Sequence, residues 1–319
     1  MKASRVAYIH HPSSLEHRMG AGHPERPERV QAIERALTAA GLLERMTSLL
    51  APAVTREQAG RVHPGELLDR LIETSPEQGL AMLDSDTEMC PQTWTAVQHA
   101  AGAGVLAVEQ VVSGAFDRAF CCVRPPGHHA ERTRPMGFCF LGNVAIAARH
   151  ATDALGLSRV AVVDFDVHHG NGTEDLLAGD EHFLMVGSFQ RGIFPGWGET
   201  PRAANICNVG LAGGSDGRAV REACDQVWLP ALRAFAPELI IVSAGFDAHA
   251  DDPLAGLEWH EDDYAYLTAS LVSLAESIGH GRIVSMLEGG YDLDALGRSV
   301  VAHVGALASG QRAVDRRLG

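Results

Sequence analysis

Lysine is nearly absent from this chain: Lys2 is the only one among 319 residues. Without an internal lysine there is neither a Schiff-base amine nor a Walker A phosphate loop. Cysteine is also scarce, with six residues (Cys90, Cys121, Cys122, Cys139, Cys207 and Cys224) and no C-x-x-C pair. At that density neither a disulfide scaffold nor a structural zinc knuckle is expected, and the cysteines read as small buried hydrophobes. No run of about 18 apolar residues occurs, so no membrane-spanning helix is expected. The first ten residues enter a strand-like segment without the apolar stretch of a secretory signal. The expected location is therefore cytoplasmic. Positive charge is in deficit, with a net charge of −14. A nucleic-acid partner needs a basic footprint and is not expected. An acidic surface suits solubility or a cationic substrate. Oligomeric state leaves no mark in the sequence, and a homo-oligomer stays open.

What is present has the balance of a globular protein, 46% hydrophobic and 21% charged. The length allows one large core, and no repeat or linker divides it, so one domain over 1–319 is expected. Apolar, β-branched runs at 5–9, 118–123, 159–166, 182–189, 205–211, 238–244 and 282–287 read as strands. Amphipathic stretches at 28–40, 93–112, 143–154, 217–235, 262–278 and 294–308 read as helices. In the first of these Val30, Ile33, Leu37 and Ala40 share a face, Pro27 suits the first turn and Gly41 ends it. The alternation predicts an α/β fold with a mostly parallel sheet covered on both faces. Long loops are expected at 10–27, 124–142, 190–204 and 246–262.

Parallel sheets place ligands beyond the carboxyl ends of their strands. Four such ends carry polar clusters: Arg124-Pro-Pro-Gly-His-His129, Asp164 to Asn171, Gly245-Phe-Asp-Ala-His249 and Glu288-Gly-Gly-Tyr-Asp292. The run Val160-Ala-Val-Val-Asp-Phe-Asp-Val-His-His-Gly-Asn-Gly172 is the most informative. Continued as a strand, it delivers Asp164, Asp166 and His168 to one face at period two. Such a cluster on a buried strand is badly desolvated unless a cation or hydrogen bonds meet it. Asp-x-His suits zinc, through a carboxylate oxygen and a neutral imidazole. The plainer reading is an acidic strand end capping a helix that starts near Asn171. A catalytic zinc site wants a third ligand, and Asp247 is the best candidate. Asp251 and Asp252 compete but look solvated, and Asp247 alone could merely start a loop. His128 and His129 read as paired proton-transfer groups, against a plain surface pair. The Tyr291 hydroxyl suits donation to an oxyanion, against a packing role. Gly213-Gly-Ser215-Asp-Gly217 formally matches a nucleophile elbow, but a turn plus helix cap explains it better. Gly170-Asn-Gly172 lacks the third glycine of a dinucleotide loop.

Taken together, the blocks resemble the zinc-dependent histone deacetylase family, most closely its class II and bacterial amidohydrolase branch, which includes the acetylpolyamine amidohydrolases. They are His23-Pro-Glu-Arg-Pro-Glu-Arg29, Arg124 to Ala130, Gly137-Phe-Cys-Phe-Leu-Gly-Asn143, Asp164 to Gly172, Phe194-Pro-Gly-Trp-Gly198, Gly245 to His249, Asp252-Pro-Leu254 and Glu288 to Tyr291. The resemblance implies an arginase/deacetylase fold with a central sheet of eight parallel strands. It implies Asp166, His168 and Asp247 as ligands of one Zn²⁺, His128 and His129 as tandem histidines, and Tyr291 as the carbonyl-polarising hydroxyl. It further implies a structural K⁺ near Asp164, Ser188 and the Phe189 carbonyl. Asn171 stands where class I members carry aspartate behind the second histidine. Gly137, Phe138, Phe194 and Leu254 would line a narrow acyl channel, and Arg26 an internal cavity beneath it. The implied activity is removal of an acetyl or short acyl group from an acylated primary amine, such as acetyl-lysine or an acetylpolyamine. Leu254, where one polyamine-selective branch has glutamate, argues weakly against that branch. Asp84 or Asp86 could grip substrate, although a solvated turn explains them as well.

Two rivals remain. A two-manganese ureohydrolase would need a further aspartate after the Asp-x-His segment, where this chain has His169-Gly170-Asn171. A catalytically silent reader of acylated amines is disfavoured by the full residue set. Metal analysis of the purified protein is expected to find one catalytic divalent ion per chain; two would favour the ureohydrolase.

Overall fold

Ten strands and ten helices carry the chain in a computed structural model that describes residues 5–309; Lys2 and residues 310–319 lie outside them. The strands are β1 Val6–His10, β2 Thr47–Leu50, β3 Ala81–Asp84, β4 Thr87–Met89, β5 Arg118–Cys122, β6 Val160–Asp164, β7 Phe183–Gln190, β8 Ile206–Leu211, β9 Leu239–Ala244 and β10 Ile283–Leu287. The helices are α1 Glu28–Ala39, α2 Arg56–Gly60, α3 Gly65–Thr74, α4 Thr93–Val112, α5 Asn143–Asp153, α6 Asn171–Leu177, α7 Gly217–Ala223, α8 Leu229–Phe235, α9 Glu261–Ser277 and α10 Leu293–Ala308. Eight strands form one parallel sheet in the order β2-β1-β5-β10-β9-β6-β7-β8. The separate antiparallel hairpin β3–β4 stands apart from it.

The central strands are apolar throughout because both sheet faces are covered. In β6, Ala161 and Val163 join the core on one face, while Val160 and Val162 join the other. Residues of α1, α8, α9 and α10 pack with the first set, and residues of α3, α4 and α5 with the second. Period-two alternation thus sends neighbouring residues into different cores.

All seven expected sheet strands are present. The eighth, β2, was not expected: its four residues are mostly exposed at the sheet edge, which leaves little apolar signal. The β3–β4 hairpin and helices α2 and α3 were also unforeseen. The single helix expected over 217–235 is instead α7, a widened turn over Cys224–Trp228, and α8. Pro230 has no N–H to donate and its ring crowds the preceding turn, so the helix widens there. The Leu229 amide accordingly donates to Cys224, five residues back.

The four strands whose ends carry the polar clusters, β5, β10, β9 and β6, are consecutive neighbours at the centre of the sheet. β10 comes last in sequence yet lies between β5 and β9, bringing residues near 128 and 291 together.

Close packing beside the sheet leaves little slack. Gly102 in α4 lies against the backbone of Pro52 and Val54, so that a Cβ would fall on the Pro52 carbonyl. Gly102→Ala is expected to destabilise the fold by about 1–3 kcal/mol, the usual cost of overpacking, read as a lower denaturation midpoint with unchanged slope.

Candidate active site and metal centre

β6 ends at Asp164, so Asp166 and His168 lie on the turn that follows rather than on the strand itself, as the period-two reading assumed. They converge all the same, because backbone amides grip the acids. Asp166 Oδ1 accepts from the His168 amide at 2.8 Å and Oδ2 from the Gly289 amide at 2.8 Å. Asp247 Oδ1 accepts from the Val167 amide at 2.9 Å. The remaining atoms face one another: His168 Nδ1 lies 3.1 Å from Asp166 Oδ1 and 3.1 Å from Asp247 Oδ2. One ligand atom from each residue falls within 4.8 Å of the other two. Both carboxylates are essentially unexposed, at 1% and 0%. Burial and the Asp166 charge push the Asp247 carboxyl upward. Burial opposes a charge on His168, but Asp166 and Asp247 outweigh it and push the imidazole up to about 10, and even an imidazolium meets only one of the two carboxylate charges. The O, N, O donor set therefore fits a divalent cation such as zinc, whose ligands these atoms commonly are.

A second triple, His249, His260 and Glu261, also brings ligand atoms close. Here the Asp251 amide donates to His249 Nδ1 at 3.0 Å, which leaves the ring proton on Nε2. Nε2 faces Glu261 at 3.4 Å, and Arg298 bonds the same carboxylate at 2.5 Å. Arg298 also pairs with Asp251 at 3.0 Å, so the ion pairs of this one arginine tie the loop after β9 to helices α9 and α10.

The tandem histidines stand beside the acidic cluster with different partners. His128 Nδ1 is 3.1 Å from Asp164 Oδ2, and its Nε2 is 3.8 Å from Asp166. Burial opposes a charge on His128, but Asp166 and Asp164 outweigh it and hold its pKa well above the ordinary value. His129 Nδ1 is 2.7 Å from the Asn171 side-chain oxygen. Burial, then the charges of His128 and His168, push His129 well below the ordinary value. Glu288 steadies the loop by accepting from the Gly127 and His128 amides at 2.7 and 3.1 Å. On the far side, the Gly172 and Thr173 amides of α6 hold the His128 carbonyl.

Tyr291 is buried; its hydroxyl is held protonated by burial and by the Asp247 charge. The Arg29 guanidinium lies over its ring at 4.9 Å, and Asp252 accepts from its amide at 2.7 Å. Asp252 is buried, contrary to the solvated position expected, because the Tyr291, Asp292 and Leu254 amides cap it. Burial and the Asp247 charge push it up to about 7. Asp251 is exposed, as expected. The arginine beneath the site is Arg29, not Arg26, which is exposed. Arg29 donates to the Gly290 carbonyl at 2.6 Å and the Glu288 carbonyl at 2.5 Å, and pairs with Glu25 at 3.1 Å. The signal for this was available: Arg29 precedes Ile33 by four and Leu37 by eight, on the inward stripe of α1.

Phe138 and Phe194 stand on either side of this cluster. Phe138 meets Tyr291 edge-on at 5.9 Å between ring centres, and Phe194 meets His129 edge-on at 4.9 Å. Gly137, at φ +56°, has no room for a side chain: a Cβ would sit 2.6 Å from His129 and 2.8 Å from Phe194. Leu254 is exposed on the loop after β9. Ser188 is buried on β7 with no hydrogen-bond partner for its hydroxyl, and the Phe189 ring lies edge-on to His169. Asp84 and Asp86 flank the β3–β4 turn, Asp84 paired with Arg134 at 3.1 Å. The hairpin is nonetheless docked on the aromatic wall, since Thr87 accepts from the Phe138 amide at 3.0 Å. Ser215 lies in a turn and Asp216 caps α7, so no nucleophile elbow forms there.

A covered parallel sheet with its polar cluster at the carboxyl ends of adjacent central strands defines an α/β protein of the arginase/deacetylase fold. The chain belongs to the histone deacetylase family: the histone deacetylase domain model matches residues 23–307. It is 38% identical over 278 residues to the histone deacetylase-like amidohydrolase of Pseudomonas aeruginosa, covering 85% of this chain and 73% of that one. It is 36% identical to the human polyamine deacetylase HDAC10 over 89% of this chain and 44% of that protein. Among solved structures, the HDA15 HD domain superposes with a TM-score of 0.89 at 32% identity, covering 96% of this chain and 91% of that one. Among the described residues no helix is long and apolar enough to cross a membrane.

Gly289 leaves the space into which the two acids point: a Cβ there would fall on Asp247 Oδ2 and lie 2.6 Å from Asp166 Oδ2. Gly289→Ala is expected to weaken divalent-metal binding at these ligands by about 10–100-fold, the range for a disturbed ligand environment, measured by competition with a chromophoric chelator.

Proposed function

We propose that this chain is a zinc-dependent amidohydrolase that releases an acetyl or other short acyl group from an acylated primary amine such as acetyl-lysine. One observation carries the reading: a buried acid–imidazole cluster, two histidines with unlike partners and a protonated tyrosine meet at adjacent strand ends. Asp166, His168 and Asp247 would hold the zinc, which when bound polarises the amide carbonyl and acidifies water. His129 is the proposed general base. Its Nδ1 faces the Asn171 oxygen, an acceptor, which leaves the Nε2 lone pair to take a proton from the attacking water. His128, held in its charged form against Asp164, returns a proton to the departing nitrogen. The water oxygen bonds to the carbonyl carbon, the C–N bond breaks, and a carboxylic acid and an amine result. The Tyr291 hydroxyl donates to the developing oxyanion, kept in place by Asp252 at its backbone and Arg29 beneath its ring. Gly137, Phe138 and Phe194 would form the channel for the acyl group and an extended amine, with Leu254 at the rim.

Asp164 and Ser188, with the Phe189 carbonyl, are the proposed K⁺ site; the unpartnered Ser188 hydroxyl supports it. A cytoplasmic location belongs to the same proposal. An acetylpolyamine or another small amide is the alternative substrate, supported by the polyamine deacetylase among the relatives and by the acidic net charge. The ureohydrolase is disfavoured by His169, which bonds Glu174 at 2.7 Å and supplies no second carboxylate.

Turnover of a fluorogenic acetyl-lysine amide, lost with a hydroxamate or chelator and restored by zinc, tests the reaction. A panel of acylated amines then ranks substrates. Tyr291→Phe is expected to lower kcat by about 10²–10³-fold, the usual cost of one oxyanion donor, with zinc content unchanged. Near-normal turnover would remove Tyr291 from the mechanism.

A further inference from the structure

The partner of His129 is a carboxamide, and a carboxamide has two ends of nearly equal size and opposite chemistry. Which end faces the histidine is decided by what surrounds the other. Asn171 Nδ2 lies 3.0 Å from Glu131 Oε1, 3.4 Å from the His129 carbonyl oxygen and 3.5 Å from the Met136 sulfur. All three are acceptors, and the carboxylate is the strongest of them. Turning the amide over would set its oxygen against the Glu131 oxygen with no proton between them, and its NH₂ against His129 Nδ1. The amide oxygen therefore faces Nδ1 at 2.7 Å. Since that oxygen can only accept, the neutral His129 ring carries its proton on Nδ1 and leaves Nε2 bare.

We infer that Glu131 is a positioning residue for the hydrolysis: acting through Asn171, it selects the His129 tautomer whose Nε2 can accept a proton. Glu131 is built to stay in place, with a side chain only 19% exposed. Its amide donates to the Arg134 carbonyl at 2.9 Å. The Arg202 guanidinium approaches its carboxylate at 3.6 Å while bonding Asp175 at 2.6 Å. Asp175 and Asn171 both belong to α6. An aspartate at position 171 would present an acceptor whichever way it turned and would need no such neighbour. The dependence on Glu131 thus follows from having asparagine there.

The catalytic consequence rests on the amidohydrolase reading; the tautomer does not. Two measurements on the zinc-loaded full chain separate them. The first is a kinetic cycle over Glu131→Ala, Glu131→Gln, Asn171→Asp and the Glu131→Ala/Asn171→Asp pair. Glu131→Ala is expected to lower kcat by about 10-fold, the scale for a residue acting through a site group, with KM unchanged. Glu131→Gln should recover only part of it, because the glutamine oxygen can still accept from Asn171 but its NH₂ end lets the asparagine amide turn over. In the Asn171→Asp background, where two carboxylates would face each other at that contact, Glu131→Ala should cost nothing further and should relieve part of any loss. An equal loss in both backgrounds would make Glu131 a mere loop brace and overturn the inference. The second is the ¹⁵N imidazole spectrum. Wild type should show His129 as the Nδ1–H tautomer, and Glu131→Ala should show Nε2–H appearing. An unchanged tautomer in Glu131→Ala overturns the inference even if turnover falls. Should the wild type cleave no acylated amine, the functional reading fails, while the spectrum still decides whether Glu131 governs His129.

Discussion

Two carboxylates with almost no solvent contact, Asp166 and Asp247, share one imidazole nitrogen. Placing two like charges in a buried site beyond the strand ends is costly unless a cation joins them. Everything near the pair is arranged to tolerate that cost. Backbone amides of Val167, His168 and Gly289 donate to the acids. Glycines at 245 and 289 leave the space that the carboxylates occupy. The same negative charge, with that of Asp164, raises His128 against its burial, and burial followed by the Asp247 charge raises the Tyr291 hydroxyl. One electrostatic demand thus sets the protonation of its neighbours.

The two histidines show how adjacent, chemically identical groups come to differ. Each is almost wholly buried, yet one backs onto a carboxylate and the other onto a carboxamide. A carboxylate stabilises the imidazolium; an amide oxygen merely orients the neutral ring. Environments that push paired pKa values apart mark the acid and the base of a reaction. In the proposed mechanism the division of labour therefore lies behind the rings, in Asp164 on one side and in Asn171 with Glu131 on the other.

Much of this was legible in the residues. The β-branched runs predicted seven of the eight sheet strands, because burial on both faces demands continuous apolar composition. The polar blocks at four strand ends were visible as interruptions in those runs. Short or exposed elements, β2 and the β3–β4 hairpin, left too few buried residues to show a period. The break at Cys224–Trp228 was hidden because helical periodicity survives a single widened turn, although Pro230 was there to signal it.

By itself the sequence determined which residues could do chemistry and roughly where each strand would stop, since those are properties of local composition. Only the tertiary structure decided which strand ends are neighbours. β10 reaches its place between β5 and β9 through crossovers that no local pattern encodes. Likewise, Asp252 is buried and Asn171 is turned by Glu131, whereas the inward face of Arg29 was already marked by its spacing from Ile33 and Leu37. Each of the first two is a matter of which distant groups share a desolvated volume. Desolvation belongs to the packed molecule, where a carboxylate must find amide hydrogens or a cation in whatever the fold has brought beside it.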